Sequence, residues 1–137
     1  MALILDTGPL YASLDRSDEH HAVCRSLIES ADEALLIPSP VLVEIDTLIQ
    51  QRLHSAALVA LLADIEDGAY TVENLQYSDY ARIRQLCDRH ADLGFRFVDA
   101  AVLTVAERLN EPKIATLDHQ HFNAVTPLHR DVLTLLP

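Results

Sequence analysis

The sequence contains little that would cross-link a small protein covalently or anchor it in a membrane. Its 137 residues include no tryptophan, three glycines and two cysteines, Cys24 and Cys87, which form no CxxC pair and no cluster with histidine. This usage favours reduced thiols over a disulfide framework or a zinc site. No apolar run approaches the ~20 residues that span a bilayer, and Asp6 comes too early for a signal peptide. We therefore expect one cytoplasmic domain, residues 1–137, without a membrane segment.

Basic residues are also scarce. Ten lysines and arginines stand against 21 aspartates and glutamates, which gives a net charge of −11. Residues 1–80 hold 14 acidic and three basic residues, whereas residues 81–137 hold seven of each. A chain this acidic does not bind nucleic acid through bulk charge. A polyanion remains a possible substrate only if cations bridge it to the protein.

Short apolar runs alternate with longer helical patterns. The runs predict five buried strands, at residues 2–5, 34–37, 71–75, 113–117 and 132–135. The helical patterns predict helices at residues 10–14, 17–30, 39–49, 56–65, 78–90 and 98–109. Strands that alternate with helices in this way indicate an α/β domain around a mostly parallel sheet. In such sheets the ligand crevice lies beyond the carboxyl ends of the strands.

The segment 56–65 is apolar at every position except Asp64. A helix that is apolar all round is usually covered on more than one side. In so small a domain, this pattern predicts a partner as well as a core. We expect a hairpin with the amphipathic helix 41–49, with one side used in a homodimer and a partner segment in the neighbouring groove.

Four acidic residues have positions that suggest chemistry. Asp6 and Asp118 end predicted strands, Asp99 opens a predicted helix, and Glu44 borders the apolar stripe of its helix. Each one alone is also explained as a cap, a turn residue or a solvated side chain. Four carboxylates in one crevice would instead take up protons or a hard cation. Oxygen ligands favour Mg²⁺ or Mn²⁺, and these ions suit phosphate-ester chemistry.

The whole chain resembles PIN domains of the VapC toxin type. The matching pieces are LILDTG at residues 3–8, PVLVEI at 40–45, ADLGF leading into FVDAA at 91–101, and IATLD at 114–118 with His119 and Phe122 behind it. The resemblance implies a three-layer fold with a mostly parallel five-stranded sheet of order 3-2-1-4-5, flanked by helices. It also implies a Mg²⁺-dependent endoribonuclease that hydrolyses RNA phosphodiester bonds, and a cognate VapB-type antitoxin.

The resemblance assigns roles to individual residues. The acidic quartet of the family matches four positions of this chain: Asp6, Glu44, Asp99 and Asp118. Asp6 and Asp99 are implied as the main metal ligands, and Glu44 and Asp118 as acids that complete the charge and hold metal-bound water. The family's hydroxyl positions beside this site match Thr7 and Thr116, which are candidates for bonding a carboxylate or an RNA phosphate and are also explained as ordinary structural threonines.

Three arginines are candidate RNA contacts. Arg82 and Arg89 are seven residues apart and share a face of a predicted helix, and Arg96 stands three residues before Asp99. Contact with phosphate and ordinary solvation both explain such arginines. Asp92 matches an acidic position of many relatives, with no role assigned.

Three other functions compete with the nuclease. A PIN-fold scaffold would bind partners without cleaving RNA. A signalling receiver domain would need a strand-end acidic pair and a late strand-end lysine. Asp6 has no acidic neighbour, and the single lysine, Lys113, begins its strand. A haloacid-dehalogenase-type phosphatase would need an acid where Gly8 stands.

Overall fold

The computed structural model describes residues 1–137 and has a five-stranded sheet at its centre. The strands are β1 (Ala2–Leu5), β2 (Ala34–Pro38), β3 (Thr71–Glu73), β4 (Lys113–Ala115) and β5 (Thr134–Leu136). The helices are α1 (Thr7–Leu14), α2 (His21–Glu29), α3 (Ser39–Arg52), α4 (Ser55–Glu66), α5 (Asp79–Arg89), α6 (Phe97–Arg108) and α7 (His119–Asn123). All strand pairs are parallel, in the order β3-β2-β1-β4-β5. The predicted fold class and strand order are confirmed.

Strand β1 is the middle of the sheet, and all four of its residues are buried. Leu3 pairs with Leu35 of β2 on one side and with Lys113 of β4 on the other. A strand that is covered on both faces has an unbroken apolar run in its sequence. This run allowed β1 to be predicted. The predicted strands at 71–75 and 113–117 are each two residues too long. At the end of β4 the Thr116 hydroxyl accepts a hydrogen bond from the Asp118 N–H, which turns the chain out of the sheet.

The starts of the first two helices differ from the prediction. Helix α1 begins at Thr7, three residues early, because the Asp6 carboxylate caps it by accepting the Thr7 N–H. Helix α2 begins at His21, so the predicted start at residue 17 is wrong. The carboxylates of Asp15 and Asp18 accept the N–H groups of Ser17 and His20 instead, and these bonds form turns. Such local side-chain bonds compete with helix formation.

Helix α6 runs through the core, with seven consecutive buried residues from Ala100 to Ala106. It contacts α3, α5 and β1, so it is covered on several sides. The predicted hairpin is also present, since α3 contacts α4. Leu61 of α4 is buried in the core, while Val59 and Leu62 are exposed. The apolar side chains of α4 that do not enter the core, Val59 and Leu62, therefore lie on its solvent-facing side. None of the helices combines the length and apolar character required to cross a bilayer.

A candidate carboxylate site at the end of the sheet

Asp6 lies where β1 ends and α1 begins. Its N–H donates to the carbonyl of Ala115 at 2.9 Å, which extends the β1–β4 ladder by one residue. Its carboxylate accepts the Thr7 N–H at 2.8 Å and the Thr116 hydroxyl at 2.9 Å. The residue is 7% exposed. Backbone and side-chain bonds thus hold one buried carboxylate at the carboxyl end of the central strands.

Burial raises the pKa of Asp6 to about 7. The hydrogen bonds from Thr7 and Thr116 act in the opposite direction, and the charges of Asp99 and Glu44 raise the pKa further. Loss of hydration disfavours the charged form of a buried carboxyl group. The influence of Asp99 and Glu44 also indicates that these acids lie near Asp6.

Asp99 stands in the first turn of α6, and its carboxylate accepts the Arg96 N–H at 3.0 Å. Burial raises its pKa, the bond from Arg96 lowers it, and the charges of Asp118 and Glu44 raise it again. His121 has a smaller effect that lowers the pKa of Asp99. Asp99 is therefore both a helix cap and a member of a crowded acidic group.

The hydroxyl of Thr116 connects two of the acids. It donates to Asp6 and accepts the N–H of Asp118 at 3.0 Å. Thr116 is fully buried, so this bridge is shielded from water. Glu44 stands in the second turn of α3 and is exposed. The structure therefore brings the four predicted acids to one end of the sheet, with Asp6 at the bottom and Glu44 at the rim.

None of the four carboxylates is paired with a lysine or arginine side chain. The imidazole of His121 lies beside them, with its Nδ1 2.5 Å from a carboxylate oxygen of Asp118. This contact was not predicted, because α7 has five residues and is too short for a periodic pattern. The three-residue spacing from Asp118 to His121 was the available signal.

The donor set fits a hard divalent cation. The acids supply only carboxylate oxygens, and the Thr7 hydroxyl beside Asp6 is buried without a hydrogen-bond partner. A cation would offset the loss of hydration that mainly raises the pKa values of Asp6 and Asp99, and the mutual repulsion that adds to it. No three acidic, histidine or cysteine side chains are already drawn together at metal-ligand geometry. The residues thus provide the chemistry of such a site without a preformed cage.

The predicted RNA contacts have different environments. Arg82 forms a bidentate ion pair with Glu107, in which both nitrogen–oxygen distances are 2.9 Å. The structure therefore does not place Arg82 with the four acids of the candidate site. The pair is largely buried between α5 and α6. Arg89 and Arg96 are exposed, and neither side chain makes a hydrogen bond or ion pair. Asp92 is exposed in a single 3₁₀ turn.

A cavity of about 780 Å³ opens beside the acids and has Glu44 in its wall. Its other lining residues are Ser39, Pro40, Val43, Thr47, Asn74, Leu75, Tyr80, Phe97 and Val98. These residues come from α3, α5, α6 and the turn after β3, so no single motif marks them. Sequence reasoning missed this cavity for that reason.

The comparisons with known proteins agree with the fold. Residues 3–126 match the family model described as the PIN domain. This chain belongs to the PIN domain family. It is 29% identical over 135 residues to ribonuclease VapC26 of Mycobacterium tuberculosis, across 98% of this chain and 100% of that protein. The predicted resemblance to VapC-type PIN domains is confirmed.

Three solved structures share the fold of this PIN domain. VapC20 of M. tuberculosis, described as a sarcin-ricin loop cleaving toxin, has a TM-score of 0.78 at 22% identity, covering 94% of this chain and 98% of that one. VapBC2 of Rickettsia felis, bound to a promoter DNA fragment, has a TM-score of 0.70 at 14% identity, covering 98% and 97%. FitAcB of Neisseria gonorrhoeae has a TM-score of 0.67 at 15% identity, covering 98% and 96%.

Proposed function

We propose that this PIN domain is a Mg²⁺-dependent endoribonuclease and the toxin of a toxin–antitoxin pair. The observation that carries the proposal is the group of four carboxylates without basic partners at the end of the sheet. A like-charged cluster costs folding energy unless a cation binds it. Such a cost is typical of a functional site. The relative named as a ribonuclease supports RNA as the substrate.

Each acid has a distinct proposed role. Asp6 and Asp99 hold the metal ion, because both are constrained by hydrogen bonds and partly or fully withdrawn from water. Glu44 and Asp118 are more exposed. They complete the charge and orient water near the scissile phosphate. Thr116 positions Asp6 and the Asp118 backbone, and Thr7 offers a free hydroxyl to a ligand oxygen.

A bound Mg²⁺, or Mn²⁺ in its place, would acidify a water molecule and stabilise the leaving oxygen. The protein contributes orientation and exclusion of bulk water at Asp6. Arg89 and Arg96 are proposed phosphate contacts, since their guanidinium groups are unpaired. Arg82 was predicted for the same role, but all three of its guanidinium nitrogens already donate, two to Glu107 and one to Gln85.

The test is cleavage of total RNA with and without Mg²⁺, followed by mapping of the new 5′ ends. We expect discrete new ends with Mg²⁺ and none after chelation. Intact RNA under both conditions would support the alternative of a PIN-fold scaffold that binds partners without cleaving. The family membership removes the reason for considering a receiver domain.

We also propose two partners and a location. A VapB-type antitoxin binds along the α3–α4 hairpin, and a second copy of the chain covers the exposed side of α4. The support is the apolar surface at Val59 and Leu62, together with the VapBC and FitAcB assemblies of the structural relatives. A domain that acts on RNA with reduced thiols suits the cytoplasm.

Val59→Asp and Leu62→Asp test this surface, whereas Leu58 packs against the core and Leu61 is buried in it, so a polar change at either would destabilise the domain. We expect at least one of the two variants to weaken dimerisation or antitoxin binding in light scattering and titration calorimetry. If both remain dimeric and bind antitoxin like the parent, the hairpin serves only the core.

A further inference from the structure

The cavity beside Glu44 is the largest in the molecule and adjoins the proposed catalytic site. Glu44 belongs to both, and Phe97 at its edge stands two residues before Asp99. A group that is covalently attached to the reacting phosphate would therefore reach this cavity without leaving the site. Its volume of about 780 Å³ lies within the range of small-ligand pockets.

The wall of the cavity combines two aromatic rings with a single charged residue. Phe97 and Tyr80 are 43% and 51% exposed, and they are the two rings of the wall. Glu44 is the only charged lining residue, so no cation is present to bind a phosphate there. The side chains of Asn74 and Ser39 make no hydrogen bond within the protein. The cavity thus offers ring faces and free hydrogen-bonding groups to a flat, uncharged ligand.

We propose that this cavity binds one unpaired nucleobase of the RNA, next to the scissile phosphate. This inference rests on the proposed function and adds to it a subsite for sequence preference. Proteins read single-stranded RNA by stacking splayed bases on aromatic rings and bonding to their edges. Tyr80 and Phe97 supply the stacking surface, and Asn74 supplies an amide that both donates and accepts.

The chemistry of the wall favours a base over the other occupants. A phosphate would meet Glu44 without a compensating cation. A second copy of the chain would have to cover Glu44, which the proposed reaction requires to be open to substrate. A base attached to the bound phosphate satisfies both conditions, because its sugar–phosphate lies at the metal site while its neutral ring enters the cavity.

The experiment uses a pool of random-sequence RNA, Mg²⁺ and sequencing of the new 5′ ends. The parent is expected to show a nucleotide preference at one position adjoining the cleaved bond. Tyr80→Leu and Phe97→Leu are expected to flatten that preference and to lower cleavage by about 10-fold, the size of one lost base–aromatic stack. Asn74→Ala is expected to change which base is preferred.

Matched variants separate stacking from folding. Tyr77 is 96% exposed and does not line the cavity, so Tyr77→Leu should leave rate and preference unchanged. Tyr80→Phe keeps the ring and should restore the preference lost in Tyr80→Leu. Thermal melting of each variant confirms that it is folded.

Three outcomes are decisive. Parental rate and preference in both leucine variants would overturn the base-binding role while leaving the nuclease intact. A change from dimer to monomer in those variants, measured by light scattering, would also overturn it, in favour of a second copy in the cavity. A parent that cleaves no RNA would instead refute the proposed function itself.

Discussion

Two groups of acids, each with a buried aspartate, lie at opposite ends of α6, and only one of the groups is paired with arginine. At the carboxyl end of the helix Asp79 contacts Arg108, and Glu107 is held by Arg82. Asp79 is 4% exposed, comparable to Asp6 in the other group. The acids around Asp6 have no arginine or lysine partner. The same residue type at the same depth thus has two different electrostatic environments.

The difference separates scaffold from site. A buried carboxylate with an arginine fork has a neutralised charge and fixed geometry, and removal of either partner leaves an uncompensated charge. A buried carboxylate among other acids is unfavourable in its charged form unless it binds a proton or a cation. The paired group therefore stabilises the contact between α5 and α6, and the unpaired group is available for chemistry.

The largest expected effect is on catalysis in the unpaired group. Asp99→Asn should keep the cap of α6, because asparagine caps a helix about as well as aspartate. It should abolish RNA cleavage, since a neutral amide holds Mg²⁺ and its water poorly. The stabilisation by Mg²⁺ in thermal melting should shrink as well, because that stabilisation depends on affinity for the folded state.

Asp131→Asn is the control, since Asp131 is exposed and outside every matching segment. It should cleave RNA and respond to Mg²⁺ like the parent. If Asp99→Asn keeps both its Mg²⁺-dependent thermal shift and its ribonuclease activity, the unpaired acids are caps and not a metal site.

The second effect concerns the paired group. Arg82→Ala should lower the free energy of unfolding by about 3–5 kcal/mol, because it leaves Glu107 buried without its cation. Urea denaturation measures this change. Arg84 is exposed on the same helix and makes no hydrogen bond, so Arg84→Ala should cost less than about 0.5 kcal/mol. A specific loss of RNA affinity in folded Arg82→Ala would instead favour the phosphate-binding role.

The third effect is the pH dependence of metal-free stability. The pKa of Asp6 is about 7 in the folded state against 3.8 as its ordinary value. Between these values the folded protein binds more protons than the unfolded chain, so stability falls as the pH rises from about 4 to about 7 and then levels. The contribution is on the order of a few kcal/mol, since one pKa unit corresponds to about 1.4 kcal/mol.

Asp6→Asn should make this slope shallower, leaving the part that the raised pKa of Asp99 contributes, and should be more stable than the parent at pH 8 without metal. Urea denaturation in chelator at a series of pH values measures it. Saturating Mg²⁺ should flatten the slope of the parent, because the ion replaces the proton. Equal slopes in parent and variant without metal would show that Asp6 is charged throughout.

The smallest effect concerns the exposed arginines. Arg96→Ala and Arg89→Ala should each weaken RNA binding by a small factor, and the dependence of log K on log salt should become shallower by about 0.7 for each lost phosphate contact. Arg25→Ala, which disrupts an exposed pair with Glu29, should leave the salt slope unchanged. Unchanged slopes in all three variants would assign Arg89 and Arg96 to solvated surface.

Much of the fold could be predicted because the buried strands are short and uniformly apolar. The unbroken apolar run of β1 is typical of a strand covered on both faces. The apolar stripe of α3 is typical of an amphipathic helix. The errors fall where single side chains control the backbone. The side chains of Asp15 and Asp18 form turns where the start of α2 was predicted. Helix α7 has only five residues, which are too few to show a helical period in the sequence.

The acids of the site could be predicted from their positions at element ends, but their environment could not. Burial of Asp6 and the hydroxyl bridge of Thr116 depend on contacts across 110 residues of sequence. The pairing of Arg82 with Glu107 depends on the packing of α5 against α6. The residue pattern of α5 alone could not predict it. The cavity beside Glu44 needs four separate segments and has no sequence signature.

The bond from the Asp6 amide to the Ala115 carbonyl has a consequence for dynamics. Because Asp6 is the last rung of the central ladder, its amide proton should exchange with deuterium only when the sheet itself opens, on the slow timescale of global unfolding. Active-site loops of many proteins loosen well before the rest of the molecule. Here the most buried acid of the candidate site should retain its position until the cooperative transition, so inactivation by heat should coincide with loss of structure.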